Sequence, residues 1–244
     1  RRLVSILLLA AVLACALPVR AGQMTVAFSS LPPWKMTIQG QPLGADVDLI
    51  RAVAREMGLE PVFVRGTLEE CLAMLRRGQA EVMTSLLKTP DRERYLIYLD
   101  PPLRENEDKA FYQRAGDRPI GAYSDLTGRR IGVKTDAVYF QPFDSDPAIT
   151  RLATPNITDL ISMLNDKTIE AFALTAAEGD YWLRVLGWEG EIKKAPYVYQ
   201  GLNPAYLAIA RRSPLASRAA EMSAILEKLK SSGAMARITA RYVR

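Results

Sequence analysis

The N-terminal third of the chain alternates short apolar runs with amphipathic segments, and this alternation is the strongest constraint on its fold. The apolar runs Met24–Ser29, Glu60–Val64 and the one that follows Glu81 have the length and the polar borders of buried strands. The amphipathic segments Asp46–Met57 and Leu68–Arg77 are each followed by a glycine, which is typical of helix ends. This order of strands and helices predicts an α/β fold with a parallel sheet covered by helices on both faces.

Several polar or aromatic residues follow the carboxyl ends of the predicted strands, the edge where parallel sheets bind ligands. Ser29 ends the first strand, and Trp34 follows it after two prolines that stiffen the loop. An indole in this position either stacks on a planar or cationic part of a solute or simply covers the end of the sheet. Ser85 begins a loop that leaves the third strand at the same edge. We therefore predict that Ser29, Trp34 and Ser85 lie close together.

The loop after the third strand contains a candidate anion site. Thr89 is followed by Pro90, a pair that favours a helix start with threonine as the cap and proline at the first helical position. Arg92 lies in the first turn, where free backbone N–H groups and a guanidinium together suit a carboxylate. Lys88 supplies a further positive charge. The alternative is an ordinary helix start with a solvated arginine.

The composition excludes several kinds of active site. The chain contains no histidine, which excludes Ser-His-Asp and Cys-His nucleophiles and histidine metal ligands. Cys71 lies on the apolar side of a predicted helix with Leu72 and Leu75, so it is predicted to be a buried core thiol. No cofactor and no metal are predicted.

The first 21 residues resemble a secretory signal peptide. Two arginines precede an apolar run from Leu3 to Leu17, which is short for a membrane span, and small residues allow cleavage after Ala21. The alternative is a lipoprotein signal that leaves Cys15 acylated. Cleavage removes three arginines and no acid, so 29 basic and 27 acidic residues remain of the original 32 and 27. This near-neutral balance argues against a nucleic-acid partner. The signal peptide itself predicts the periplasm.

Four motifs in register resemble the family 3 extracellular solute-binding proteins. Thr89-Pro-Asp-Arg92 followed by Asp100-Pro101 is similar to the family's T-P-E-R … F-S-D-P-Y, and Leu43–Leu49 to its v-G-f-d-v-D-l. Leu126–Val133 resembles L-k-G-k-k-v-g-V, and Ser231–Tyr242 resembles the closing dG…I…k-y. These segments together extend over nearly the whole chain after the leader.

The resemblance implies a periplasmic-binding-protein type II fold, with two α/β domains joined by a two-strand hinge. We expect residues 22–110 and 207–244 to form domain 1, and residues 111–206 to form domain 2. The implied function is binding of a small polar, anion-bearing solute, amino-acid-like or other, by cleft closure and its delivery to an ABC transporter permease in the inner membrane. A monomer is expected.

The resemblance also implies a ligand site between the domains. Arg92, with Thr89, would hold the anionic end of the solute, and Trp34 would form a wall of the site. From domain 2 the facing residues would be Thr135, Asp136, Tyr139 and Thr175.

Four positions, in three segments, depart from the family pattern. Asp136 and Ala137 replace a glycine and a threonine, Leu87 replaces a threonine, and Thr175 replaces the aspartate that holds the ligand's ammonium group. Threonine carries no charge to pair with an ammonium group. These departures favour a solute other than a standard α-amino acid.

Two other functions fit the same scaffold. A dehydratase or lytic enzyme would need a general acid in the cleft, for which Asp136 and Glu178 are the candidates. A sensor module for a membrane kinase would bind a solute in the same way, and it would need a separate membrane partner. Measurement of turnover separates the enzyme from the two binding functions.

Overall fold

The computed structural model describes residues 22–242, in which twelve strands and seven α-helices form two lobes. The strands are β1 Gly22–Phe28, β2 Met36–Ile38, β3 Gln41–Leu43, β4 Leu59–Arg65, β5 Val82–Leu87, β6 Leu96–Arg104, β7 Lys109–Arg114, β8 Arg130–Lys134, β9 Thr150–Thr154, β10 Ala171–Thr175, β11 Ile192–Tyr199 and β12 Ala205–Ala210. The helices are α1 Ala45–Glu56, α2 Leu68–Arg77, α3 Pro90–Glu93, α4 Ile157–Asn165, α5 Ala176–Leu186, α6 Ala219–Ser231 and α7 Ala234–Thr239. The predicted signal peptide and Cys15 lie outside the described residues.

The first lobe is built on a five-stranded sheet in the order β4-β1-β5-β12-β6. Strand β1 pairs in parallel with β4 and β5, as the strand–helix alternation predicts, whereas β12 runs antiparallel to both β5 and β6. The sheet is therefore mixed and not wholly parallel, because the chain returns from the second lobe as β12 and inserts between β5 and β6.

Helices cover both faces of this first sheet, which confirms the predicted layering. Since successive side chains of a strand point to opposite faces, Val26 and Ala27 of β1 belong to two different cores. Val26 packs in the core that includes Ile50 of α1 and Met222 of α6. Ala27 packs in the core that includes Cys71 of α2. Cys71 is fully buried, and burial raises the pKa of its thiol to about 11.

The second lobe is built on another five-stranded sheet, in the order β11-β7-β10-β8-β9. Strands β10, β8 and β9 are parallel neighbours, and β7 runs antiparallel to β10 and β11. Aromatic side chains fill the core on one side, where Phe111 contacts Phe140 and Phe143 edge to face. Helices α4 and α5 supply apolar residues such as Leu160 and Leu183 to the other core.

The chain passes between the lobes twice, between β6 and β7 and between β11 and β12. Lys109 and Ala110 already pair within the second sheet, and Ala205 and Tyr206 already pair within the first. The two crossings between the lobes therefore lie at residues 105–108 and 200–204. Both come a few residues earlier in the chain than the predicted boundaries at 110 and 207. Among residues 22–242, every helix is too short or too polar to span a lipid bilayer.

Gly44, in the motif Leu43–Leu49, has a backbone conformation that brings Asp46 close to the loop containing Trp34. Gly44 caps α1 at φ 131°, and a Cβ added to it would lie 2.2 Å from the carbonyl oxygen of Trp34. That carbonyl accepts a hydrogen bond from the backbone N–H of Asp46 at 3.0 Å. A glycine is therefore required here for the loop containing Trp34 to approach the start of α1.

We expect Gly44→Ala to lower the free energy of unfolding by roughly 3 kcal/mol, because it adds backbone strain and a clash with a carbonyl group. Gly40→Ala is the matched control: Gly40 also has a positive φ, 78°, but its added Cβ meets no atom within 4 Å. The control should cost about 1 kcal/mol from the left-handed backbone alone. Urea denaturation of both variants measures the difference, and equal losses would contradict the steric argument.

Candidate functional site

A cavity lies between the two lobes, at the carboxyl end of β5 and beside β8 and β10. Residues from both lobes line it, among them Ser29, Ser85 and Arg92 from the first and Tyr139 and Thr175 from the second. Its water-accessible volume is about 70 Å³, several times the roughly 10–15 Å³ that one water requires. The cavity can therefore hold a small solute.

Positive charge exceeds negative charge in the lining of the cavity. The lining contains four basic side chains and two acidic ones: Lys35, Arg92, Lys109, Lys134, Glu107 and Glu178. Glu178 pairs with Lys134 at 2.9 Å, and Glu107 pairs with Lys109 at 3.4 Å. In the part of the chain that the structure describes, Lys35 and Arg92 form no ion pair with an acidic side chain.

Arg92 is held in place by backbone carbonyl groups. The turn predicted at Thr89 and Pro90 is confirmed: the Thr89 hydroxyl accepts a hydrogen bond from the Arg92 N–H at 3.2 Å. The guanidinium donates to the carbonyl of Leu87 at 3.1 Å and, across the cleft, to the carbonyl of Asp136 at 2.5 Å. It is 6% exposed. Buried, fixed in direction and not neutralised, it is suited to meet an anion.

Asp136 takes the left-handed conformation that the family's glycine would adopt without strain. Its φ is 57°, in a region that aspartate visits more readily than most residues. Its side chain is exposed and lies outside the lining of the cavity. Of the two acids considered for an enzyme, only Glu178 borders the cavity, where it pairs with Lys134.

Arg104 organises a buried ionic network behind the cavity. It donates hydrogen bonds to Asp46 at 2.8 Å, to Glu107 at 2.7 Å and to the Ser85 hydroxyl. Ser85 in turn donates to Asp46 at 2.5 Å. Burial raises the pKa of Glu107, but Arg104 and Lys109 outweigh this effect and hold it below its usual value. The pKa of Arg104 is lowered by burial, an effect that Asp46 and Glu107 outweigh, so that it lies above its ordinary value.

Trp34 lies behind the cavity and not in its wall. The Arg104 guanidinium stacks on its indole ring at 4.1 Å from the centroid. Trp34 is 7% exposed and borders a separate groove with Gln200. The sequence placed an aromatic ring correctly at the edge of the sheet, but its stacking partner is a residue of the protein.

Five of the ten predicted site residues line the cavity, namely Ser29, Ser85, Arg92, Tyr139 and Thr175. The hydroxyl of Tyr139 accepts a hydrogen bond from the Lys134 N–H at 2.9 Å, and burial raises its pKa. The other five lie outside the lining: Trp34, Lys88, Thr89, Thr135 and Asp136. Lys88 is partly exposed, pairs with Glu93 at 3.6 Å and lies 5.7 Å from the centroid of the Tyr98 ring. The Thr135 N–H is used in a hydrogen bond to Thr154.

Sequence reasoning missed Lys35, Glu107, Lys109 and Lys134, which all border the cavity. Lys109 donates to the Thr175 hydroxyl at 2.8 Å. The protein's own ammonium group therefore lies next to Thr175, the residue that replaces the family's aspartate. These residues lie in or beside segments for which the sequence predicted only a structural role. The adjacency of Lys35 to Trp34 was the single sequence feature that could have indicated a place in the site. In residues 22–242 no group of three or more acidic or cysteine side chains is arranged to hold a metal ion.

Comparison with known proteins places the chain among binding proteins. The family model described as bacterial extracellular solute-binding proteins, family 3, matches residues 24–244. No curated protein matches the sequence at a significant level.

Solved structures share the fold at low sequence identity. An ancestral arginine-binding protein bound to arginine is 19% identical, with a TM-score of 0.79 over 91% of this chain and 99% of that one. An arginine-specific periplasmic binding protein of Salmonella typhimurium is 19% identical, with a TM-score of 0.77 over 92% and 100%. A histidine kinase sensor domain similar to periplasmic binding proteins is 21% identical, with a TM-score of 0.74 over 91% and 96%.

The two lobes, the two crossings and the cavity between them match the type II periplasmic binding proteins. The matched model extends over nearly all of the described chain. The protein belongs to family 3 of the bacterial extracellular solute-binding proteins.

Proposed function

We propose that this protein binds a small anionic solute in the periplasm and delivers it to an ABC transporter permease. The observation that carries the proposal is the charge of the cavity lining, in which four cations face two carboxylates and Arg92 has no acidic partner in the described chain. An anion is the ligand that compensates such an excess, since buried charges are stable only when they are paired.

The same charge balance argues against arginine, which is the ligand named for several structural neighbours. Two like charges about 5 Å apart repel by roughly 3 kcal/mol at an effective dielectric constant of about 20. A guanidinium or ammonium group of a ligand would meet Lys35, Lys109 or Lys134 in the cavity. The shared fold therefore does not extend to a shared solute.

Thr175 and Lys109 further favour an acid without an amino group. In the family, an aspartate at the position of Thr175 would hold the ligand's ammonium. Here the Lys109 ammonium lies 2.8 Å from the Thr175 hydroxyl. An α-ammonium placed in the same space would be repelled, so organic acids are favoured over amino acids.

Contacts between the lobes support delivery by cleft closure. Arg92 of the first lobe bonds to the carbonyl of Asp136 in the second, and Asn203 in the second crossing donates to the carbonyl of Tyr139 at 2.9 Å. A solute that touches both lobes stabilises the closed form by its differential affinity. The closed form would be the one that the permease recognises.

A solute panel tests this function. Organic acids at about 100 times their Kd should stabilise the purified protein by roughly 2.7 kcal/mol, which raises its Tm by about 5–10 °C in a chain of this size. Arginine, lysine and polyamines should produce no shift. If one of these cations gives the largest shift, the proposal is wrong. NMR of the recovered solute checks that it is unchanged, as a binding protein requires and an enzyme does not.

The second candidate function is a ligand sensor, which the similarity to a histidine kinase sensor domain favours. It would use the same cavity and the same anion. Uptake of the identified solute into cells or vesicles, with and without the protein, distinguishes the two functions. Uptake that depends on the protein supports transport, and binding without an effect on uptake supports sensing.

A further inference from the structure

Lys35 is a buried cation that the expected site does not account for. Its side chain lines the cavity and the residue is 2% exposed. The ammonium group has three N–H donors and makes one hydrogen bond in the described chain, to the carbonyl of Thr84 at 3.0 Å. The other two donors have no partner among residues 22–242. A buried ammonium in this condition is costly unless an anion approaches it.

The neighbours of Lys35 leave its charge uncompensated. Asp46 acts on it from a distance, but Asp46 is the direct partner of Arg104 and Ser85. Burial has the largest effect and lowers the pKa of Lys35, Asp46 and Cys71 raise it, and Arg104 and Lys134 lower it further. The net effect is a lowered pKa, which an anion bound at Lys35 would reverse.

Lys35 and Arg92 are anchored at different points of the same strand. Lys35 bonds to the carbonyl of Thr84 and Arg92 to the carbonyl of Leu87, three residues along β5. At about 3.3 Å per residue these carbonyls are at most about 10 Å apart, and the left-handed φ of 59° at Ser85 shortens the path between them. Because the two cations are fixed to different carbonyls, an acid with a negative charge at each end can give each cation its own partner.

From this geometry we infer that the solute is a dianion with two separated acidic groups, one held by Arg92 and the other by Lys35. The inference rests on the proposed function and makes it more specific. Short linear dicarboxylates have the required charge and length. Inorganic phosphate carries a comparable charge on a single centre, and it is the comparison that separates total charge from two-ended recognition.

Isothermal titration calorimetry of the purified protein tests the inference with linear dicarboxylates of four to six carbons, the matched monocarboxylates and inorganic phosphate. We expect a dicarboxylate to bind about 10- to 100-fold more tightly than its monocarboxylate, the value of one charge-assisted hydrogen bond. In Lys35→Gln, which can still donate to the Thr84 carbonyl, this preference should disappear, so that the dicarboxylate and its monocarboxylate bind with similar affinity. Lys228→Met, a change at an exposed lysine that pairs with Glu56, should behave as the unchanged protein.

Three results would overturn the inference: equal binding of mono- and dicarboxylates, a preference that survives in Lys35→Gln, or tightest binding of phosphate. Each of these leaves an anion-binding protein and so leaves the proposed function standing. If no anion binds at all, the proposed function itself fails. The Tm of each variant verifies folding, and Lys35→Arg, which retains the charge, should retain the preference.

Discussion

Replacing Arg92 by methionine is expected to weaken solute binding by at least about 30-fold while the protein stays folded. Truncating one partner of a buried, hydrogen-bonded charge pair costs about 2–5 kcal/mol, and the Arg92 fork provides the main charge for the first acidic group. The fold should survive because the Leu87 carbonyl also accepts a hydrogen bond from the Tyr98 hydroxyl at 3.0 Å. Titration calorimetry with the best organic acid measures the loss.

Two control variants separate charge from geometry at this position. Arg92→Lys keeps the charge but lacks the planar fork, so it should bind with an affinity between those of the methionine variant and the original protein. Arg94→Met removes an arginine two residues away whose side chain is 81% exposed, and it should leave the affinity unchanged. If Arg92→Met binds as tightly as the original, Arg92 only joins the lobes and the site must be sought elsewhere.

Arg104→Met is expected to cause the largest loss of stability, about 3–5 kcal/mol, because breaking a buried ion pair leaves uncompensated charge. The carboxylates of Asp46 and Glu107 are 2% and 4% exposed and both depend on this guanidinium. The stacking of Arg104 on Trp34 is lost as well. Urea denaturation should show the decrease in the free energy of unfolding.

Arg51→Met is the matched control for Arg104→Met. Arg51 pairs with Asp48 at 3.3 Å, but its side chain is 43% exposed, and exposed pairs contribute about 1 kcal/mol or less. A loss in Arg104→Met no larger than that of this control would show that the network does not stabilise the fold.

The loss of unfolding free energy caused by Arg104→Met should also depend on pH. In the original protein the folded pKa of Glu107 is lowered, so its contribution is present above the unfolded pKa and is lost as pH falls through the folded one. Without Arg104, Lys109 alone opposes the effect of burial on Glu107, so the pKa of Glu107 rises in the variant. As pH falls, protonation of Glu107 then removes the cost of its buried charge. The second effect makes the difference in unfolding free energy smaller at pH 5 than at pH 8, and the first adds to it only below the unfolded pKa of glutamate, about 4.3. A difference that grows on acidification would contradict this account.

Local sequence signals predicted helices and turns correctly where the residues that cap and end them are adjacent in the chain. The helix predicted over Leu68–Arg77 is confirmed at both ends, with Thr67 as its cap and Gly78 in the left-handed conformation after it. The threonine–proline start of α3 is confirmed in the same way. Caps and turns depend on a few adjacent residues, so their chemistry is visible in the chain itself.

The partners of charged side chains were not predictable in this way. Trp34 was expected to face a solute, but Arg104, 70 positions further along, stacks on it. Lys35 gave no sign of burial, because its environment comes from β5 and from the packing of α1. Pairings across such separations depend on where the two sheets and their crossings bring distant segments together.

The order of apolar runs, glycines and caps predicted an α/β fold and a capped turn at Thr89, since both follow from short-range backbone preferences and periodicity. The two lobes and the family were indicated by four motifs in register that resemble the family 3 proteins. The tertiary structure alone decided which charges remain unpaired in the cleft. Whether a lysine or an arginine is neutralised depends on which carboxylate lies within about 4 Å of it, and that distance is set by the packing of segments far apart in the chain.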